Sequence, residues 1–146
     1  MKIRTLFALA AITISFLLPS LSFAADITIK AGSRAFETPI AYVAVGDHVK
    51  FSNMNSHNSV SVDGMIPEGA APWAGALGEN IGITVDKAGI YSYVCQPHIG
   101  FGMVGVIVVG DVTADDVAAY KQKAMDTLEG PFRRLIGIIS KIQPTK

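Results

Sequence analysis

The sequence contains one cysteine and three histidines among its 146 residues. One cysteine cannot form a disulfide within the chain, so Cys95 is either a buried thiol or a ligand. Three histidines cannot supply two clusters of imidazole ligands, which argues against an enzyme with a second copper centre. The scarcity of these residues therefore limits the chemistry to one small site.

Charged residues are also scarce and have no dominant sign. Only 16% of the residues are charged, with twelve basic and twelve acidic side chains. No basic stretch predicts binding to nucleic acid. The sequence has no internal repeat and no low-complexity tract, and no helical periodicity appears before residue 113. These absences favour a small β domain.

The longest apolar run lies at the amino terminus. Lys2 and Arg4 precede an uncharged apolar stretch over residues 6–18, and small residues follow up to Ala24. A positive start, an apolar centre and a small-residue end are typical of a signal peptide. We therefore predict that residues 1–24 are cleaved on export from the cytoplasm. A membrane anchor is the alternative, because the apolar stretch is nearly long enough to span a bilayer.

The mature chain is predicted to begin at Ala25 or Asp26. Loss of the two basic residues of the signal leaves ten basic and twelve acidic residues, a net charge of about −2. Short strands separated by turns occupy residues 25–110, which predicts a β-sandwich domain. Outside the cytoplasm, in an oxidising compartment, a lone cysteine has no partner for an internal disulfide, which favours a free, metal-bound thiol.

Residues 111–146 are predicted to form a helical appendage packed on the sandwich. Thr113 is a suitable helix cap, and Asp115 and Asp116 suit the positive end of the helix dipole. Gly130 ends this helix, and Pro131 begins a second one that extends to about residue 142. A membrane-surface or partner-binding helix is the alternative interpretation of their apolar faces.

The chemistry of the chain is concentrated in residues 93–103. Cys95, His98 and Met103 lie between two predicted strands, in a segment whose proline and glycines favour a loop. A thiolate, an imidazole and a weak axial thioether are ligands of a blue copper site, which needs one more imidazole. Taken singly, the cysteine and the methionine are more simply read as core residues. Their combination in one loop predicts a metal site.

His57 is the predicted second imidazole. It follows a polar loop and directly precedes a strand, so it can bend toward the Cys95 loop. His48 is the competitor, but it falls inside a predicted strand, where an imidazole is more often a surface residue. Asn58 is placed to hydrogen-bond between the two ligand loops and to hold them in register.

These segments together resemble the pseudoazurins, small periplasmic blue copper proteins of the cupredoxin family. The resemblance is carried by His57-Asn58, by DGMIPEGA at residues 63–70 and by CQPHIGFGMVG at residues 95–105. It implies a mainly β, Greek-key sandwich of about seven to eight strands with two C-terminal α-helices. It also implies one type 1 copper in a one-electron carrier with four ligands: His57, Cys95, His98 and Met103.

The same resemblance implies where the protein works and with what. It implies a periplasmic monomer without stable membrane association that shuttles electrons between redox proteins. A copper nitrite reductase, another respiratory reductase or a cytochrome c would fit that role. With all four copper ligands supplied by the chain, electron transfer is expected rather than catalysis. A copper-binding or copper-delivery protein on the same fold is the alternative, and Zn(II) or Ni(II) can occupy such sites.

The predicted route for the electron is the imidazole of His98. We expect an exposed apolar patch around it, formed by Met65, Ile66, Pro67, Pro97, Ile99, Gly100 and Phe101. Core packing is the alternative for Ile99 and Phe101. The pseudoazurins surround this patch with lysines, but the corresponding segments here contain none. We therefore predict docking mainly through apolar contacts, with a weak salt dependence of the association rate.

Overall fold

A computed structural model describes residues 24–146. The predicted signal peptide, residues 1–24, lies outside the described residues except for Ala24. The described chain contains seven strands: β1 (Asp26–Lys30), β2 (Ile40–Val43), β3 (His48–Ser52), β4 (Val60–Ser61), β5 (Gly82–Thr84), β6 (Gly89–Val94) and β7 (Val104–Val109). Two α-helices follow them: α1 (Ala114–Thr127) and α2 (Arg134–Ile139).

The strands form two mixed sheets. One sheet has the order β1-β3-β5 and the other the order β2-β7-β6-β4. The pairs β1–β3 and β2–β7 are parallel, whereas β3–β5, β4–β6 and β6–β7 are antiparallel. The predicted cupredoxin-like sandwich with two C-terminal helices is confirmed.

The main core lies between the two sheets. On β3, Val49 and Phe51 are buried while Lys50 between them is exposed, as the two-residue period of a strand requires. Trp73, on the long connection between β4 and β5, packs against this core and donates its indole N–H to the Ser59 hydroxyl at 3.0 Å. These contacts hold the connection against the main core.

The helices cover the outer face of the four-stranded sheet. Their apolar residues join those on the outer faces of β6 and β7 in a second core, which includes Val94, Val106, Leu128, Leu135 and Ile139. Because β6 and β7 are buried on both faces, their sequences are almost continuously apolar rather than alternating. The strands that carry the Cys95 loop are thus the most buried in the described chain.

Helix α1 begins as predicted. Thr113 accepts a hydrogen bond from the Asp116 backbone N–H, and the Asp116 carboxylate accepts from the Thr113 backbone N–H, which is a capping box. Within residues 24–146, no helix is both long enough and apolar enough to cross a membrane.

The second predicted helix is shorter than expected. A 3₁₀ turn, Gly130–Arg133, contains Pro131 and precedes α2, which ends at Ile139 rather than near residue 142. Beyond Ile139, the Lys141 N–H donates to the carbonyl three residues earlier instead of four, so the chain tightens into a turn. Ile142 is still buried under the sheet from that turn.

Candidate metal centre

The two sulfur-bearing residues of the predicted site lie opposite each other at the base of one loop. Strands β6 and β7 pair Val94 with Val104. Cys95 and Met103 extend this pairing, since the Cys95 N–H donates to the Met103 carbonyl at 2.9 Å. Both side chains are fully buried. The antiparallel register therefore brings a thiol and a thioether eight residues apart in sequence to the same end of the sandwich.

The loop between them is a 3₁₀ turn rather than irregular backbone. The turn spans Gln96–Phe101, with Pro97 at its start and Gly102 after it at φ 92°. Gly102 is suited to this left-handed conformation because it lacks a Cβ atom. The His98 N–H donates to the Cys95 carbonyl at 3.1 Å. This turn directs the His98 ring back toward the cysteine, and its Nδ1 lies 3.5 Å from the Cys95 Sγ.

His57 reaches the same sulfur from the segment before β4. Its backbone N–H donates to the Met54 carbonyl at 2.8 Å, which closes a turn. Its Nδ1 lies 3.6 Å from the Cys95 Sγ, and its ring centroid lies 4.7 Å from that of His98. The ligand atoms of His57, Cys95 and His98 all lie within 4.8 Å of one another. The structure thus brings together three of the four residues by their ligand atoms.

His48 lies away from this group. It begins β3, and its Nδ1 is 3.3 Å from an Asp26 carboxylate oxygen on the three-stranded sheet. Its ring covers Gly82, where an added Cβ would lie 2.6 Å from the imidazole. The predicted position of His48 on a strand, at the surface, is confirmed.

The environment of His57 favours a neutral imidazole. Burial lowers the pKa of His57, and the neighbouring His98 ring lowers it further. A neutral imidazole is the form that binds metals. Among the described residues, the two ring nitrogens are the only hydrogen-bonding groups that meet the Cys95 Sγ. This agrees with Pro97 having no N–H to donate to the sulfur.

Asn58 links the two ligand segments. Its side-chain oxygen accepts from the Gln96 backbone N–H at 2.9 Å, and its amide donates to the Gln96 side-chain oxygen at 2.8 Å. Asn58 is buried and adjoins His57, while Gln96 adjoins Cys95. The predicted bridge between the loops is therefore confirmed at the level of hydrogen bonding.

The loop also presents apolar surface to the solvent. Phe101 is 63% exposed, and its ring centroid lies 6.2 Å from that of the half-buried His98. Pro97 is exposed, whereas Ile99 packs against the core under the helices. The patch interpretation therefore holds for Pro97 and Phe101, and core packing holds for Ile99.

The prediction that residues 65–67 border this patch is wrong. Met65 is buried, and its carbonyl accepts from the Ser92 N–H at 2.8 Å, midway along β6. Pro67 lies against Gly89, at the end of β6 opposite Cys95. The segment runs antiparallel to β6 after β4, so each further residue moves it away from the Cys95 loop.

Three residues near the loop were not found by sequence reasoning. Leu77 is 66% exposed and precedes Gly78, whose N–H donates to the His57 carbonyl at 2.9 Å. The Arg34 guanidinium lies 5.1 Å from the centre of the Phe101 ring. The Arg134 side chain contacts Gly102, with its Cδ 3.3 Å from the position of an added Cβ. No spacing in the sequence connects these residues with the loop, because tertiary packing alone places them there.

Comparisons with known proteins agree with this geometry. The model of a family of copper binding proteins, the plastocyanin/azurin family, matches residues 23–110. A pseudoazurin of Paracoccus pantotrophus is 29% identical over 111 residues, which cover 73% of this chain and 77% of that protein. A pseudoazurin of Methylorubrum extorquens is 29% identical over 150 residues, which cover 98% of this chain and 99% of that protein. The crystal structure of native pseudoazurin from Hyphomicrobium denitrificans superposes with a TM-score of 0.67 at 28% identity, over 81% of this chain and 98% of that one.

Proposed function

Since the chain belongs to the plastocyanin/azurin family of copper-binding proteins, we propose that its type 1 copper binds where the Cys95 loop meets His57. The proposed ligands are one thiolate, two imidazoles and one thioether: His57, Cys95, His98 and Met103. The observation that carries this assignment is the convergence of both imidazole Nδ1 atoms on the Cys95 Sγ, at 3.5 and 3.6 Å.

The donor set fits copper. A thiolate with two imidazoles and a weak axial thioether is the ligand set of blue copper sites. Met103 lies opposite Cys95 across the hairpin, and its buried thioether would be the fourth ligand. When bound, the copper supplies a one-electron couple between Cu(II) and Cu(I). The chain is therefore a one-electron carrier and not an enzyme, as the family indicates.

The protein's contribution is to hold the ligands in nearly one arrangement. The backbone hydrogen bond from Cys95 to Met103 fixes these two residues relative to each other. The two hydrogen bonds of Asn58 connect their loop to the His57 segment. Cu(II) and Cu(I) prefer different geometries, so ligands that cannot move reduce the rearrangement at each electron transfer. Rigid ligand placement suits a carrier that must gain and lose electrons rapidly.

The electron is proposed to enter and leave through His98. Its ring is half-buried, whereas His57 is only 6% exposed, so His98 offers the imidazole edge nearer the solvent. We define the docking face as the exposed surface around His98 formed by Leu77, Pro97 and Phe101, with Arg34 and Arg134 beside it. A small apolar face of this kind suits a brief encounter between redox proteins.

The proposed partner is a periplasmic redox protein whose contact surface is apolar with a carboxylate at its edge. Neither Arg34 nor Arg134 forms an ion pair within the described residues. An unpaired guanidinium at the edge of a docking face can bind a carboxylate through paired N–H groups. A copper nitrite reductase, another respiratory reductase or a cytochrome c remains the proposed class, and the periplasm the proposed location.

The test is to add one equivalent of Cu(II) to the mature chain and to record its visible and EPR spectra. We expect an intense thiolate-to-copper band that bleaches reversibly on reduction, and we expect Cys95→Ser to abolish it because the thiolate is lost. His48→Ala is the matched control, since it removes the histidine that lies away from the site and should leave the band intact.

A pale complex in the unmodified chain would contradict the ligand assignment and would favour the copper-delivery alternative. Retention of the copper through repeated reduction and oxidation, in the presence of a chelator, would support a carrier. Ready transfer of the copper to the chelator on reduction would support delivery instead.

A further inference from the structure

The Asp47 carboxylate is buried without a charged side chain to balance it. It is only 5% exposed, and none of the ion pairs among the described residues includes it. Burial of a carboxylate is unfavourable unless hydrogen bonds or an opposite charge compensate for it. The groups that meet its two oxygens therefore indicate why this position is acidic.

One oxygen has a local structural role. Asp47 lies in the turn between β2 and β3, where its Oδ2 accepts from the Ala44 backbone N–H at 2.7 Å. The Asp47 N–H donates in return to the Ala44 carbonyl at 3.2 Å. These bonds close the turn, as aspartate side chains often do. They account for Oδ2 and leave Oδ1 to be explained.

The other oxygen holds the beginning of the described chain. Oδ1 accepts from the backbone N–H of Ala25 at 2.8 Å, across 22 residues of sequence. The Ala25 carbonyl accepts from the His48 N–H at 2.9 Å, which is the first hydrogen bond of the parallel pairing of β1 with β3. Asp47, in the turn, and His48, at the start of β3, thus bind both backbone groups of Ala25.

We propose that cleavage between Ala24 and Ala25 creates an α-ammonium group that Asp47 binds. This inference rests on the proposed export, in which a signal peptidase hydrolyses one peptide bond. Water adds across the bond, the carboxylate of Ala24 leaves with the signal, and the Ala25 nitrogen takes up protons. The buried carboxylate is then the receptor for the mature chain's own amino terminus.

The geometry selects Ala25 over Asp26 as the first residue. An amide N–H offers Oδ1 one neutral donor, whereas an ammonium at the same nitrogen adds a full charge, and charge-assisted hydrogen bonds are the stronger kind. Cleavage one residue later would remove the Ala25 nitrogen altogether. The carboxylate of Asp26 is already engaged by Lys50 at 2.7 Å and by His48 at 3.3 Å, so it is not available as a competing receptor.

The first test is the mass of the mature protein recovered after export of the full chain. A product that begins at Ala25 supports the inference. A product that begins at Asp26, or one that retains residues before Ala25, overturns it. This readout does not involve the metal, so it is independent of the copper assignment.

The second test is a double-mutant cycle on the copper-loaded mature chain, with free or acetylated Ala25 and with Asp47 or Asp47→Asn. With Asp47 present, we expect acetylation of the Ala25 amino group to reduce the folding equilibrium constant by about fivefold. In Asp47→Asn, the same acetylation should have little effect. An equal effect in both backgrounds overturns the inference. Asp86→Asn is the matched control, because it removes a neighbouring exposed carboxylate and should preserve the coupling.

Should Asp47→Asn fail to fold, titration of the α-amino group decides the question. An α-amino pKa raised above the usual value of about 8 in the chain beginning at Ala25, but not in one beginning at Ala24, supports the pairing. Equal α-amino pKa values in the two chains overturn it. The blue band of the copper site reports separately on the proposed function in every variant.

Discussion

Tyr91 and Tyr93 lie on the same strand and differ in the partner of the phenolic hydroxyl. The Tyr91 hydroxyl donates to the Lys87 carbonyl at 2.9 Å. The Tyr93 hydroxyl is fully buried and has no hydrogen-bond partner among the described residues. Burial raises the pKa of Tyr93, so the hydroxyl stays neutral. Its ring packs edge-on against Phe36 and Phe51, with centroids 4.9 and 5.0 Å away.

We expect Tyr93→Phe to raise the free energy of unfolding by about 1 kcal/mol, because it removes an unpaired polar group and keeps the ring contacts. Tyr91→Phe is the control and should lower it by about the same amount, since it breaks a made hydrogen bond. Urea unfolding measures both. Destabilisation by Tyr93→Phe would mean that the hydroxyl has a partner, such as a buried water, in solution.

Asn58 allows a second prediction at the residue scale. Asn58→Ala should lower the free energy of unfolding of the copper-free chain by about 2 kcal/mol, because two hydrogen bonds to Gln96 are lost at a buried position. Asn55→Ala, in the same segment but exposed, is the matched control. If the two variants are equally stable, the bridge contributes nothing to holding the ligand loops together.

At the scale of elements, the start of α1 predicts a specific acid dependence. The Thr113 hydroxyl and backbone N–H donate to the Asp116 carboxylate at 2.7 and 2.8 Å and lower the pKa of Asp116 below its ordinary value of 3.8. A carboxyl whose pKa is lower in the folded state stabilises the protein above its unfolded pKa. This contribution is lost as the pH falls through the lowered pKa.

Asp116→Asn should therefore reduce the slope of unfolding free energy against pH below about pH 4, because its carboxylate no longer protonates. Asp115→Asn is the control: it removes a neighbouring charge from the same helix turn, but the described residues give it no hydroxyl partner. Urea unfolding at a series of acidic pH values measures the slopes. Equal slopes in the two variants would show that the helix dipole, and not the Thr113 contact, causes the dependence.

The elements differ in how well local sequence could predict them. The strands follow from alternating or continuous apolar runs between turns, and α1 follows from helical periodicity and a cap at Thr113. All of these are local signals. Local sequence does not determine that α2 ends at Ile139. Ile142 is buried from a turn, and a longer helix would show the same apolar pattern in the sequence. The position of residues 65–67 depends on hydrogen bonds to β6, which no spacing encodes.

The candidate site shows the same division. Cys95, His98 and Met103 were predictable because one hairpin carries all three, and His57 because the alternative, His48, fell inside a strand. The docking face was predictable only where the loop itself forms it. Arg34 comes from the connection after β1 and Arg134 from the start of α2, so its charge depends on the packing of the whole chain.

For the molecule as a whole, charge gives a partner little long-range guidance. The mature chain is predicted to have ten basic and twelve acidic residues, so at a distance it weakly repels an acidic partner. At contact, Arg34 and Arg134 attract a carboxylate instead. Beyond about 10 Å the field of either arginine is largely screened at ordinary ionic strength. The two effects oppose each other, and neither steers the encounter strongly.

We therefore expect the rate of electron transfer to a copper nitrite reductase or a cytochrome c to change less than about threefold between about 50 and 200 mM salt. Arg34→Ala should weaken binding about threefold by removing a contact at the edge of the docking face. Lys87→Ala is the matched control, because it removes the same charge at the end of β6 opposite Cys95. Stopped-flow kinetics measures these effects. A steep fall of the electron-transfer rate with added salt, or equal losses of binding in both variants, would mean that the partner responds to the total charge of the protein. The partner would then not recognise the apolar face around His98.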